Sequence, residues 1–282
     1  MKLFCQVHFS LLSLCRHFFV PLMPLIPGLK GFPGLVMHSH NYRHPEVFQG
    51  KRVVILGAGS SGQDICLEVA KYAEIVYLSH KRTLPCKLPD NVKEQRPITS
   101  VSNDGTVCFD DGQQKKVDAI LLCTGYSFSF PFLHNDCNIQ VRNNRVTHLY
   151  KHIFNTKYPT LSFIGLCLRI CPFPHFSLQA QYIAAVLSGC KELPSEEEMN
   201  ADEEKDFEEK LASGFSEKYA HLLGDRQWEY NNIIAQLAGL DRSSSVYEEL
   251  YKYVVYRRTN FLMEYKNDQF KLSSDGRWTA VD

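Results

Sequence analysis

No excess of charge of either sign marks this sequence. Lys and Arg total 31, and Asp and Glu also total 31. A nucleic-acid partner needs a dense basic surface and is excluded as the main ligand; any anion site has to be local. A bilayer-spanning run is lacking as well. The greasiest stretch, MKLFCQVHFSLLSLCRHFFVPLMPL, is interrupted by His8 and Arg16, and no small-residue cleavage site follows it. None of the ten cysteines forms a CxxC pair, and several stand inside apolar runs: Cys66, Cys108, Cys123 and Cys167. That pattern describes packed, reduced thiols rather than a disulfide scaffold. Cys167 and Cys171 lie four apart without a second pair to complete a metal set, so no metal is expected. Internal repeats and low-complexity tracts are also missing. These absences lead to the expectation of a soluble, cytoplasmic protein.

Apolar residues make up 44 % of the 282, enough to bury one large core or two modest ones. Val20 to Gly34 holds four prolines and three glycines and reads as a connecting segment. Beyond it the pattern becomes regular. RVVILG is a short buried strand, SGQDICLEVAKYA carries Ile65, Val69 and Tyr72 at helical spacing, and EIVYLSH is a second strand. Together they form one βαβ unit. Alternating runs with tight turns at Asp104-Gly105 and Asp111-Gly112 follow, then the strands AILLCTG and TLSFIG. FSLQAQYIAAVLSG reads as a helix with Ser177 as N-cap and Gly189 just past its end. Ser195 and Glu198 predict a capping box for a further helix. Its acidic run from Glu196 to Glu209, nine acids against one lysine, reads as a solvated face.

Gly57, Gly59 and Gly62 give GxGxxG between the strand and the helix. The first glycine allows the turn, the second lets backbone approach a pyrophosphate, and the third lets helix pack on strand. Ser60 and Ser61 open the helix, whose free N–H groups and positive dipole end face the phosphates. An NAD or FAD site carries an acid at the end of the second strand. Here the sequence offers Ser79, His80, Lys81 and Arg82 instead. A guanidinium at Arg82, with Lys81 and the Ser79 hydroxyl, suits a 2′-phosphate, so the site reads as one for NADPH. The alternative is that Lys81 and Arg82 are ordinary surface charges.

The segment before the βαβ unit is FPGLVMHSHNYRHPEVFQGKRVVILGAGSSG. Its Phe32, Gly34, His38 and Tyr42 fit F-x-G-x-x-x-H-x-x-x-Y directly ahead of the glycine turn. This arrangement resembles the flavin-containing monooxygenases. CTGY, Cys123 to Tyr126, is similar to their A-T-G-Y linker; YPTLSFIGL, PFPHFSLQAQ and ELPSEEEM also look like family segments. MHSHNYR and LSHKR resemble the plant S-oxygenase-like branch. The resemblance covers Val20 to Met199 well and the remainder loosely.

It implies an α/β fold in which an NADP-binding Rossmann domain is inserted in a FAD-binding domain, with a helical C-terminal part. The boundaries expected are 1–48 for an atypical N-terminus and linker, 49–126 for the NADP domain, and 127–282 for the C-terminal part of the FAD domain. It also implies an enzyme of the N,N-dimethylaniline monooxygenase type, using FAD, NADPH and O2 on a small nitrogen- or sulfur-containing substrate. Thr124 and Gly125 are implied to approach flavin, as is Gln179 on the helix opening at Phe176, with core packing as the alternative for that helix. Ser177 stands where family members often carry Glu. His38 is expected to be structural. No catalytic side chain is assigned.

The sequence departs from the family in having no glycine fingerprint upstream of Val20, which implies an N-terminally truncated member with an incomplete FAD domain and impaired flavin binding. Two alternatives follow: a non-catalytic NADP-binding fragment, or a flavin-free NADP(H) reductase. No Tyr-x-x-x-Lys pair follows the βαβ unit to support the latter.

Overall fold

The computed structural model describes residues 11–14, 19–241, 244–273 and 277–281. His8 and Arg16 lie outside the described residues. The chain divides into two compact units. One holds residues 19–127 and 252–281, the other residues 128–251 with the strand at 11–14.

The first unit is built on a five-stranded sheet. Its strands are β1 (Leu35–His38), β2 (Arg52–Leu56), β3 (Ile75–Ser79), β4 (Val92–Gln95) and β5 (Ala119–Leu122), in the spatial order β1-β5-β2-β3-β4. All four pairings are parallel. Helix α1 (Ser60–Val69) connects β2 to β3. A parallel sheet needs cover on both faces, so its central strands read as unbroken apolar runs. That is why Val53, Val54 and Ile55 and the whole of β5 are buried. On one face Val53, Ile55 and Leu121 pack with Phe48, Cys66 and Val69. On the other, Val54, Ile120 and Leu122 pack with Val107 and Phe109. The latter two come from a three-stranded antiparallel meander, Ile98–Val101, Thr106–Phe109 and Gln114–Lys116. Its tight turns fall at Gly105 and Gly112, whose φ values of 89° and 81° need glycine.

Residues 1–48, expected to be an N-terminus and linker, contribute β1 to this sheet. The strand was hidden because LVMH is short, follows a proline- and glycine-rich segment, and pairs with β5 more than eighty residues on. The F-x-G-x-x-x-H-x-x-x-Y motif is largely this strand's attachment. Phe32 is buried in the second face's core. A side chain on Gly34 would meet the Asp118 carbonyl oxygen at 2.2 Å. Tyr42 donates its hydroxyl to Glu68 of α1 at 2.7 Å. His38 is buried, accepts at Nδ1 from the His40 N–H at 3.0 Å, and meets the Tyr126 ring edge-on.

In the second unit, Leu11–Leu14 pairs parallel with Leu161–Ile164, and Phe154–Asn155 and Leu149–Tyr150 complete a four-stranded sheet. Three helices accompany it: α2 (Pro172–Leu187), α3 (Glu196–Ala212) and α4 (Gln227–Ala238). Tyr182, Ile183, Ile234, Ala235, Phe154 and Met199 form their shared core. Helix α2 begins at Pro172 with Cys171 as N-cap, six residues before the expected Ser177 cap. Proline at the first position has φ already set for a helix and no N–H to lose. The Ser195–Glu198 capping box forms with both bonds in place. The acidic run on α3 is not simply solvated. Asp202 lies 2.5 Å from Lys151, Glu203 3.1 Å from Arg145, and Asp206 3.2 Å from both Lys210 and Arg226. Lys210 pairs at i,i+4 within α3 itself, whereas Lys151, Arg145 and Arg226 come from separate segments that the run's own spacing could not reveal.

A last helix, α5 (Ser245–Asn260), leads into the C-terminal arm. The arm ends in a hairpin of Gln269–Leu272 and Trp278–Val281. Residues 252–281 belong to the first unit. No described helix is long and apolar enough to cross a membrane.

Candidate functional site

From β2 the chain steps outward to β3 and β4, then returns to the opposite side of β2 as β5. The C-terminal ends of β2 and β5 therefore flank a topological switch point, where open α/β sheets bind ligands. The glycine turn sits there. Gly57 has φ 104°, and a side chain on it would meet the Cys123 carbonyl oxygen at 2.5 Å. At Gly62 a Cβ would lie 1.8 Å from the Gly57 carbonyl oxygen, so α1 packs against the turn closely enough to require glycine. Around Gly59 there is nothing within 4 Å. Gly59 caps α1 without any side-chain hydrogen bond, which leaves the first-turn N–H groups open beside the exposed Ser60 and Ser61. Clearance over the second glycine, contact at the other two and an uncapped helix start fit a dinucleotide pyrophosphate.

At the end of β3 the residues part company. Ser79 is fully buried and donates its hydroxyl to the Arg96 carbonyl oxygen at 2.9 Å, so it is not available as a phosphate donor. Lys81 and Arg82 are exposed. An acid does stand nearby, supplied by the adjacent strand: Glu94 lies 3.0 Å from His80 Nε2 and accepts from the Leu84 N–H at 2.8 Å. Arg96 adds a guanidinium to the same corner, donating to the Lys81 carbonyl oxygen and to Asp110, each at 3.2 Å. Neither Glu94 nor Arg96 was legible as a site residue. They lie twelve and fourteen residues beyond Arg82, and only the β3–β4 pairing brings them to it.

Thr124 and Gly125 follow β5 and lie at the same sheet edge. The Thr124 hydroxyl donates to the Leu22 carbonyl oxygen at 2.5 Å, and the Gly125 carbonyl accepts from the Leu22 N–H at 2.9 Å. Gln179 is in the other unit and is fully buried. Its Oε1 accepts from the Gly165 N–H at 3.0 Å, and its Nε2 donates to the Tyr230 hydroxyl at 2.9 Å. The Thr124 hydroxyl and the Gln179 amide are thus engaged within the protein. The sequence carries a single GxGxxG. Among the described residues, the glycine turn fits one dinucleotide pyrophosphate, and no second turn of this kind is formed.

Among the described residues the cysteines form no disulfide. Burial pushes the thiols of Cys66 and Cys123 up to about 12, so neither is a thiolate at neutral pH.

A family model described as flavin-binding monooxygenase-like matches residues 5–85 and 83–281. The chain belongs to this family. Flavin-containing monooxygenase FMO GS-OX-like 2 from Arabidopsis thaliana is 39 % identical over 249 residues, covering 86 % of this chain and 53 % of the relative. FMO GS-OX-like 7 from the same plant is 40 % identical, covering 89 % and 56 %. Among solved structures, S-allyl-L-cysteine S-oxygenase from Allium sativum aligns with a TM-score of 0.86 at 37 % identity, over 94 % of this chain and 61 % of that one. The monooxygenase family uses FAD and NADPH. This member spans about half the length of the curated relatives it matches.

Proposed function

We propose that the chain contributes the NADPH-binding Rossmann domain, and part of the surrounding flavin domain, of a monooxygenase that oxygenates soft sulfur or nitrogen nucleophiles. The observation that carries the reading is the glycine turn at the β2–β5 switch point, with a basic corner of Lys81, Arg82 and Arg96 at the end of β3. In this reading the first-turn N–H groups of α1 hold the pyrophosphate, and the guanidiniums of Arg82 and Arg96 hold the 2′-phosphate. Flavin, when bound, supplies electron transfer from NADPH to O2; this chain's residues bind and orient the reductant. The S-oxygenase names of the relatives support a thioether or a similar sulfur substrate over an amine. The test is NADPH oxidation coupled to oxygenation of an S-alkyl cysteine or a methylthio compound, with added FAD. NADPH oxidation that never yields a sulfoxide would sink the substrate reading.

A second reading is an NADP-binding protein that performs no oxygenation alone. It is favoured by the single glycine fingerprint and by the internal engagement of Thr124 and Gln179. Flavin absorbance of the purified chain separates the two.

A further inference from the structure

The C-terminal segment that begins with α5 meets the glycine turn at Arg258. Arg258, two residues before the end of α5, donates from Nη2 to the Ser60 carbonyl oxygen at 2.9 Å and to Asp64 at 3.2 Å. Its Nε lies 3.4 Å from Gln63 Oε1, and Gln63 in turn donates to the Ala58 carbonyl oxygen at 3.0 Å. Ala58 is the residue between the first two glycines, so this segment connects to the centre of the turn in two steps. Asp64 receives two more partners from the arm: the Tyr265 hydroxyl at 2.8 Å and Lys266 Nζ at 3.7 Å. Burial and the bond to Asp64 push the Tyr265 phenol up to about 12, so it remains a donor.

The placement is held rigidly. Arg257 forms a two-pronged bond to Asp268, at 2.8 and 3.0 Å, and lies over the Phe261 ring at 4.5 Å. Tyr253, Phe270 and Trp278 pack as a ring cluster that fixes the hairpin to α5.

Asp64 poses an electrostatic problem. Asp64 is the fifth residue of α1, just past a first turn that holds no acid, and its charge lies about one turn from the helix start, where a bound pyrophosphate would bring further negative charge. Left alone, it would repel the ligand. We propose that Arg258 is a positioning residue of the dinucleotide site: it neutralises Asp64 and steadies the glycine turn so that the start of α1 accepts a pyrophosphate. The proposal rests on the reading of this turn as an NADPH site.

The experiment measures NADPH dissociation constants and thermal unfolding midpoints for the wild-type chain and for Arg258→Gln, Arg258→Lys, Asp64→Asn and the Asp64→Asn/Arg258→Gln pair. Arg258→Gln weakens NADPH about tenfold, and more at low salt than at high salt. Arg258→Lys keeps the charge and binds within about threefold of wild type. Removing both charges in the double variant restores most of the affinity. A purely structural arginine behaves differently: affinity falls in step with the unfolding midpoint, and the double variant binds no better than Arg258→Gln. That pattern, or unchanged binding in Arg258→Gln, overturns the proposal. If the wild-type chain itself fails to bind NADPH, the dinucleotide reading fails first and takes this proposal with it.

Discussion

Arg82 and Lys81 stand exposed at the end of β3 while Ser79 is buried, so in the proposed NADPH site the choice between NADPH and NADH falls on guanidinium chemistry. Losing a charged contact to a 2′-phosphate costs about 1.5–3 kcal/mol, roughly tenfold to a hundredfold in affinity. Arg82→Ala is expected to weaken NADPH by that factor and leave NADH unchanged; equal loss for both nucleotides would mean that Arg82 does not read the 2′-phosphate. Acid sensitivity belongs to buried histidines: burial lowers His152 and His221 well below 6.5, and His175 contributes in the same direction. His175 is fully buried on the Tyr230 ring and donates from Nδ1 to Asn231 at 2.8 Å. Its Nε2 has no partner. Burial, opposed only by the Asn231 bond, lowers its pKa from 6.5 to about 4. The unfolded chain takes up a proton below pH 6.5 that the folded chain refuses until near pH 4. Stability therefore falls as pH drops through that window, by about 1.4 kcal/mol per pH unit from this residue. Denaturant midpoints compared between pH 7 and pH 5 are expected to drop less in His175→Gln than in the wild-type chain; parallel curves would remove His175 as the cause.

At the level of elements, the βαβ unit was legible because its rules are local: an apolar run, a glycine turn and a helical spacing follow one another directly. The capping box of α3 was legible for the same reason, since Ser195 and Glu198 are three residues apart. Ser195→Ala is expected to cost about 1 kcal/mol of stability, read from the denaturant midpoint, and to leave nucleotide affinity untouched. Gly62 has a larger effect. Because a Cβ there would meet the Gly57 carbonyl oxygen at 1.8 Å, Gly62→Ala must displace α1 from the turn. NADPH binding in that variant is expected to be lost even where the chain remains folded by circular dichroism; retained binding would show that the turn does not need the close approach. Long-range pairing hid the remaining elements. β1 finds β5 across the whole βαβ unit, and Arg145, Lys151 and Arg226 meet the acids of α3 from separate segments. The start of α2 lies earlier than the apolar spacing indicates because Pro172 and Pro174 fill its first turn, where proline has no hydrogen bond to lose.

For the molecule as a whole, family membership was legible from two short motifs, whereas the return of residues 252–281 to the unit that carries the glycine turn was not. Nothing in YVVYRRTNFLMEYKNDQF announces that Arg258 will meet Ser60 and Asp64; only the assembled fold puts them together. Internal hydrogen-bond partners also bear on cofactor loading. A flavin pyrophosphate needs its own turn and helix start, and the one fingerprint in these 282 residues carries basic side chains suited to NADPH. Thr124 and Gln179 spend their polar groups on Leu22, Gly165 and Tyr230, so recruiting them to a flavin would mean breaking internal bonds. The purified chain is therefore expected to bind NADPH while retaining well under one FAD per molecule. A ligand that binds only the folded state, present at about a hundred times its dissociation constant, stabilises by about 2.7 kcal/mol. NADPH at that excess is expected to raise the thermal midpoint by several degrees, and the same concentration of FAD to leave it in place. Stoichiometric flavin absorbance with oxygenating turnover, or a midpoint raised by FAD as much as by NADPH, would show that this chain assembles a complete flavin site from residues that carry no fingerprint.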